Sequence, residues 1–223
     1  MMRAVIFDCD GVLINSEAVC LGVELECLAE IGLPFEAHDY VGRFMGMTSA
    51  DFYAALDVDY RGKYGRALPE TFPDVLHERT WAAVETGLAA IAGAPDVIRT
   101  LGLPKAVASG SNPDRLAIKL RKVGLYDDFA PHVYSAQLMP RGKPAPDVYL
   151  HAARELGIDP TACVAVEDSV NGVTSAIAAG MVVIGFTGGG HCPPQQGELL
   201  RGAGAAHVAA EMNELQAILR GLR

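Results

Sequence analysis

Residues 5–17 read VIFDCDGVLINSE, and this stretch decides the fold because an apolar strand ends here directly in acids. The run Ala4–Phe7 leads into Asp8 and Asp10, which are separated by one residue and followed at once by Gly11. On an extended chain, residues two apart point to the same side, so these like charges repel each other. We therefore expect a buried strand that delivers two carboxylates to a site that needs both.

The composition limits the classes of partner. The 223 residues suffice for one core domain that carries a smaller one. The 18 basic and 27 acidic residues give a net charge of −9, which disfavours nucleic acid as a partner. A small anion can still bind where a metal and one or two cations share a pocket.

The same sequence predicts a cytoplasmic location. No apolar run reaches the roughly 18 residues of a membrane span, and MMRAVIF is too short for a signal peptide, so we expect no membrane contact. The five cysteines form no C-x-x-C pair and are odd in number, so we expect buried reduced thiols.

From about residue 93 onward, short apolar runs alternate with amphipathic segments. The runs are KAVAS, HVYSA, CVAVEDS, MVVIGF and a short HVAA, and AVIF at the start of the chain is of the same kind. The first amphipathic segment, PDRLAIKLRKVGL, has Asn112 as a candidate N-cap and Pro113 at its first helical position. Strands that alternate with helices in this way predict a parallel sheet with right-handed crossovers.

Residues 15–86 follow a different pattern. They show helical periodicity, punctuated by glycine and proline, and no convincing strand. A helical block inserted after the first strand predicts a cap over the carboxyl edge of the sheet, where open α/β sheets bind ligands. The predicted fold is thus α/β, with a core of residues 1–14 and 87–223 and an inserted all-α cap.

Polar residues follow several of the predicted strands at their carboxyl ends. They are Asp8 and Asp10, Ser109 with Gly110, Lys143, and Glu167 with Asp168. Any one cluster could be a turn or a helix cap, as Asp168 before Ser169 would be if it stood alone. The ends of parallel strands meet at one edge of the sheet, so the ordered set predicts a single site.

The residue types indicate phosphoryl transfer. Up to four carboxylates in one place call for a hard cation, and oxygen ligands favour Mg²⁺. Lys143 supplies a compact positive charge, and the Ser109 hydroxyl with the N–H groups of the SGSN turn can bind phosphate oxygens. One aspartate could then attack phosphorus, and the other could protonate the leaving alcohol and activate water.

These residues resemble the haloacid dehalogenase (HAD) superfamily. DCDGV is similar to its first motif, Ser109 to its second, Lys143 in RGKPAPD to its third and VEDS to its fourth. DGVLINSE, GKPAPDVY and EDSVNG resemble the β-phosphoglucomutase-like branch more closely, and the likeness covers essentially the whole chain.

The resemblance implies a Rossmann-like core, a helical cap and specific roles for the acids. Asp8 would be the nucleophile and Asp10 the general acid and base. Asp8, the Asp10 backbone carbonyl and Asp168 would hold Mg²⁺, and Glu167 would bind it directly or through water.

Within this resemblance the sequence favours a phosphatase. Dehalogenases of the family lack the second aspartate, so Asp10 argues against that reaction. Mutase relatives carry a histidine where Cys20 stands and an arginine where Ser49 stands, and their absence favours hydrolysis. We expect a Mg²⁺-dependent phosphatase of a small phosphorylated metabolite, a sugar or sugar-acid monophosphate.

Two alternatives stay open: a sugar phosphomutase and a non-enzymatic binding or regulatory protein. The intact catalytic positions argue against the latter, and no obligate protein partner is evident. TGGGH, residues 187–191, lacks the G-K-[ST] ending of a nucleotide loop and is interpreted as a flexible connection.

Overall fold

The computed structural model describes residues 1–44, 47 and 49–222, and for Ser49 only the backbone. The chain forms two compact units. The first joins Met1–Asn15 to Leu88–Arg223, and the second is the continuous segment Ser16–Gly87. Every strand of the described residues lies in the first unit.

One parallel sheet of six strands forms the centre of the first unit. The strands are β1 (Ala4–Phe7), β2 (Lys105–Ser109), β3 (Val133–Ser135), β4 (Cys163–Glu167), β5 (Val182–Phe186) and β6 (His207–Ala209). Their order across the sheet is β3-β2-β1-β4-β5-β6, and every neighbouring pair is parallel. The predicted α/β fold with a parallel sheet is confirmed. β1 lies between β2 and β4, so the two acids that follow it stand at the middle of the carboxyl edge.

The second unit is helical. Its helices are α1 (Ser16–Glu30), α2 (Ala37–Phe44), α3 (Ser49–Tyr64) and α4 (Phe72–Gly87). They share a core of buried apolar residues that includes Leu28, Leu56 and Leu76. At one side of this core, the Phe44 and Phe52 rings meet edge to face with centroids 5.3 Å apart, a geometry that aromatic pairs prefer.

Among the described residues, seven helices flank the sheet of the first unit. They are α5 (Ala94–Thr100), α6 (Pro113–Lys122), α7 (Tyr126–Phe129), α8 (Asp147–Glu155), α9 (Val170–Ala178), α10 (Gln196–Gly202) and α11 (Met212–Gly221), with 3-10 turns at Ala136–Leu138 and Pro160–Ala162. All residues of β1 and β4 are buried, as apolar runs are when helices cover both faces of a parallel sheet. Truncating fully buried Ile6 to alanine should therefore cost about 2–5 kcal/mol.

The start of α6 shows how the local sequence positions residues at the carboxyl edge of the sheet. The Asn112 side chain accepts hydrogen bonds from the backbone N–H of Asp114 at 3.0 Å and of Arg115 at 3.4 Å. Pro113 occupies the first turn, where its missing N–H costs nothing. The predicted N-cap is confirmed at Asn112, and α6 begins at Pro113, four residues after Ser109 ends β2.

Two further expectations concern thiols and membranes. All five cysteines are free; Cys9, Cys27 and Cys163 are buried, and Cys20 and Cys192 are half-buried. Among the described residues, no helix combines the length and the apolar character needed to cross a membrane.

Candidate active site

The carboxyl edge of the sheet brings three carboxylates together. In register, Phe7 of β1 is paired with Val166 of β4, so Asp8 comes to lie beside Glu167 and Asp168. One carboxylate oxygen from each of these acids lies within 4.8 Å of the others, and all three residues are buried. The ends of β1 and β4 thus bring Asp8, Glu167 and Asp168 together.

Lys143 lies at the centre of this group. Its Nζ donates hydrogen bonds to Asp8 Oδ1 at 2.6 Å, to Glu167 Oε1 at 2.5 Å and to the Ala108 carbonyl at 2.9 Å. Burial alone would lower the pKa of Lys143, but the charges of Asp8 and Glu167 raise it well above its ordinary value. Lys143 is therefore a fixed cation that connects the ends of three strands.

Glu167 is held by donors on both carboxylate oxygens. Oε1 accepts from Lys143 and from the Tyr149 hydroxyl at 2.7 Å, and Oε2 accepts from the Ser169 hydroxyl at 3.2 Å. A Cβ at Gly172 would overlap this carboxylate, so the glycine makes room for it. Glu167 is fully buried, and these contacts favour a role in fixing Lys143.

The surroundings of Asp8 disfavour the ionised form of its carboxyl group. Burial raises its pKa well above the ordinary value of 3.8, Lys143 opposes that rise, and the neighbouring acids add to it. Burial likewise raises the pKa of Asp168, against a hydrogen bond from His191. A divalent cation among these oxygens would offset the repulsion, and three clustered carboxylates are ligands that suit Mg²⁺.

Asp10 points to a different set of partners. Its Oδ2 accepts hydrogen bonds from the Ser109 hydroxyl at 3.2 Å and from the Ser111 hydroxyl at 2.7 Å. Its Oδ1 pairs with the ammonium group of Lys119. The structure thus brings Ser109, Ser111 and Lys119 together at Asp10.

The SGSN turn, residues 109–112, begins at Ser109, the last residue of β2. Buried Ser109 accepts a hydrogen bond on its Oγ from the Ser111 N–H at 3.1 Å. Gly110 is exposed, and its carbonyl accepts from Gln137 Nε2 at 3.2 Å. Gly110 therefore lies in the same turn as the hydroxyls that face Asp10.

His191 reaches the acidic group from the loop after β5, which sequence reasoning did not foresee. Its Nε2 donates to Asp168 Oδ2 at 3.1 Å, and its Nδ1 lies 3.1 Å from the Gly189 carbonyl. Burial would lower the pKa of His191, but the bond to Asp168 raises it to about 11. The hydrogen bond therefore favours the protonated form of His191, which contacts one oxygen of Asp168.

The loop that carries His191 is closely packed, which differs from the flexible connection expected from TGGGH. A Cβ at Gly189 would meet the Gly11 carbonyl oxygen at 2.6 Å, and one at Gly188 would meet the Ala210 carbonyl oxygen at 2.6 Å. The glycines thus allow neighbouring backbone segments to approach closely. This packing sets the position of His191.

Comparison with known proteins identifies the class. The family described as haloacid dehalogenase-like hydrolase matches residues 2–180, and the chain belongs to that family. It is 28% identical over 194 residues to 6-phosphogluconate phosphatase of Escherichia coli (strain K12), a match that covers 86% of each protein. It is 33% identical over 180 residues to hexitol phosphatase B of the same strain, with 80% of each protein covered.

A solved structure supports the same class. A HAD family hydrolase from Deinococcus radiodurans R1, with bound phosphate and sodium, is 38% identical and has a TM-score of 0.85, covering 99% of this chain and 96% of that one. Together with the family match and the phosphatase relatives, this makes the chain a phosphoric monoester hydrolase of the HAD type.

Proposed function

We propose that this hydrolase acts on a small phosphorylated metabolite, a sugar or sugar-acid monophosphate, through a phosphoryl group carried on Asp8. The observation that carries the proposal is the contact of Lys143 Nζ with Asp8 Oδ1 at 2.6 Å, beside an Asp10 that other donors hold in place. The substrate class is supported by the relatives, which are named for 6-phosphogluconate and hexitol phosphates.

The residues divide the reaction between them. A carboxylate oxygen of Asp8 attacks phosphorus, the bond to the leaving oxygen breaks, and Asp10 gives its proton to the alcohol. Asp10 then takes a proton from water as that water attacks phosphorus, which releases phosphate and restores Asp8. Lys143, the Ser109 hydroxyl and the N–H of Gly110 are proposed to bind the phosphoryl oxygens.

Asp8, the Asp10 backbone carbonyl and Asp168 are proposed to hold Mg²⁺, which when bound would neutralise charge on the phosphoryl oxygens. Glu167 is proposed to contribute to this metal site through Lys143 or through a water molecule, because both of its carboxylate oxygens already accept hydrogen bonds. His191 fixes the orientation of Asp168.

Metal binding can be measured without turnover. Titration calorimetry with Mg²⁺ should give a clear binding isotherm for the wild type and a much weaker one for Asp168→Ala. Ca²⁺ should inhibit, since it is larger and less demanding in geometry. Full activity in excess chelator would contradict the metal assignment.

The nucleophile is tested by phosphate release across a panel of phosphorylated metabolites. Asp8→Asn should lose roughly three or more orders of magnitude in kcat, as removal of a covalent nucleophile does, while thermal unfolding stays cooperative. Exposed Asp127→Asn is the matched control. Beryllium trifluoride should bind the Asp8 carboxylate in a crystal. Substantial turnover by Asp8→Asn would refute the assignment.

We propose that the second unit is a cap that selects the substrate. The connections at about residues 13–16 and 86–92 are proposed as hinges. The residues proposed for specificity are Arg43, Met45 and Ser49. Arg43 is a partly exposed side chain paired with Asp59 at 2.7 Å, whereas Met45 and the Ser49 side chain lie outside the described residues. Substitutions at these residues should change the order of preference among sugar phosphate substrates more than they change the rate with a small aryl phosphate.

A further inference from the structure

The carboxylate of Asp10 forms an ion pair with Lys119, a residue that has no part in the proposed reaction. Lys119 Nζ pairs with Asp10 Oδ1 and also donates to the Ser111 hydroxyl at 2.8 Å. Ser111 in turn donates to Asp10 Oδ2 at 2.7 Å. Both oxygens of the Asp10 carboxylate are therefore held, Oδ1 by Lys119 and Oδ2 by the hydroxyls of Ser111 and Ser109.

Lys119 occupies a position that an apolar residue would ordinarily fill. It lies on α6 between Leu116 and Leu120, both fully buried or nearly so, and only 8% of its own side chain is exposed. Lysine is almost never buried to this extent unless it is paired. Replacing such a pair with apolar residues often leaves stability unchanged or improves it, so stability alone does not account for a lysine here.

We propose that Lys119 is a positioning residue that fixes the Asp10 carboxylate for proton transfer to and from the substrate oxygen. This inference rests on the proposed function, in which Asp10 is the general acid and base. A carboxylate on a short side chain can turn about its χ angles. The ammonium group and the Ser111 hydroxyl hold it in one orientation, and proton transfer is efficient only within hydrogen-bond reach of the reacting oxygen.

Lys119 and Lys143 contact different carboxylates. Lys119 Nζ contacts Asp10 and Ser111, whereas Lys143 Nζ contacts Asp8 and Glu167. The site thus has two buried lysines with different carboxylates. Loss of Lys119 should weaken the proton-transfer step while leaving attack by Asp8 largely intact.

The leaving group provides the test. An alkyl phosphate releases a poorly acidic alcohol and needs a proton from Asp10, whereas p-nitrophenyl phosphate releases an acidic phenol and does not. Lys119→Met keeps the length and apolar stem but removes the charge. We expect kcat/KM for alkyl phosphates to fall by about 10- to 100-fold, part of the ~10²–10⁴-fold that general acid catalysis supplies, with little change for p-nitrophenyl phosphate.

Three variants complete the design. Lys122→Met, on the exposed side of the same helix, controls for loss of a lysine. Lys119→Arg keeps the charge, should recover part of the alkyl phosphate activity, and keeps the test available should the methionine variant fold poorly. In an Asp10→Asn background, Lys119→Met should have no further effect, because a residue that acts only through Asp10 has nothing left to position.

The outcomes separate the inference from the proposed function. Equal losses with both substrates, no loss with either, or an undiminished effect in the Asp10→Asn background would overturn the role of Lys119. If Asp10→Asn itself shows no preferential loss with alkyl phosphates, the assignment of Asp10 as the acid fails, and the role of Lys119 fails with it. Circular dichroism and thermal unfolding of each variant establish that the fold is retained.

Discussion

Replacing Gly172 with alanine tests whether the buried carboxylate of Glu167 depends on an absent side chain. Gly172 lies in the first turn of α9, where its N–H donates to the Ser169 hydroxyl at 3.1 Å. A Cβ there would overlap the carboxylate carbon and both oxygens of Glu167. Because Glu167 is fully buried, its carboxylate has no solvent to turn into and must leave its present partners.

The contacts of Glu167 give the size of the effect. The carboxylate would lose the bonds from Lys143 at 2.5 Å and from Tyr149 at 2.7 Å. Hydrogen bonds to charged groups contribute about 1.5–3 kcal/mol each, so losing both costs on the order of 3–6 kcal/mol. Alanine in place of a helical glycine returns up to about 1 kcal/mol. We expect a net loss of about 2–5 kcal/mol, a large part of the ~5–15 kcal/mol of a typical domain.

Urea unfolding followed by circular dichroism measures this loss as a shift of the midpoint at unchanged slope. Gly202→Ala is the matched control, because Gly202 is also helical and no neighbouring atom lies within 4 Å of the position that its Cβ would take. That variant should be as stable as the wild type or slightly more so. Phosphatase activity of Gly172→Ala should fall because Lys143 loses Glu167, one of its two carboxylate partners. Equal midpoints for the two variants would refute the reasoning.

The other predictions concern charge, pH and product. Lys143→Arg should lose most of the activity, because a planar guanidinium cannot take the place of Nζ between Asp8 and Glu167; near-normal rates would indicate a looser electrostatic role. Burial raises the pKa of Glu24, against a hydrogen bond from Tyr40, so ionising Glu24 disfavours the folded state. Glu24→Gln should therefore be more stable than the wild type at neutral pH in urea unfolding, and this advantage should vanish as the pH falls below 4.5, the ordinary pKa of the group; an advantage independent of pH would contradict this. Given a hexose 1-phosphate and a bisphosphate primer, the wild type should release phosphate and make little isomer, and efficient isomer formation would overturn the phosphatase assignment.

The fold was predictable because its signals are local. Each strand is a short apolar run, and α6 has both its cap and its proline in the expected places. The acids Asp8, Glu167 and Asp168 could be assigned to one place because parallel strands place their ends along one edge. No further information was needed to join residues that are about 160 positions apart.

The rest of the site depends on packing that the sequence pattern conceals. Lys119 could have been found as a charge on the buried face of α6, three residues after Leu116 and one before Leu120, yet that helix reads as ordinarily amphipathic. Tyr149 reads as core, and its hydroxyl finds Glu167 only in three dimensions. His191 lies on a loop whose path is set by the approach of Gly189 to the Gly11 carbonyl, which no periodicity encodes.

The interrupted first unit has a consequence for how the chain is made. The segment Ser16–Gly87 is continuous, so all of its residues leave the ribosome before β2 begins at Lys105. β1 emerges earlier, but its neighbours β2 and β4 begin only at Lys105 and Cys163. At about 5–20 residues per second, this apolar strand waits on the order of ten seconds for both partners. Until β4 emerges, the nascent chain therefore carries a central strand with at least one unpaired edge, and an unpaired apolar edge is a site of aggregation.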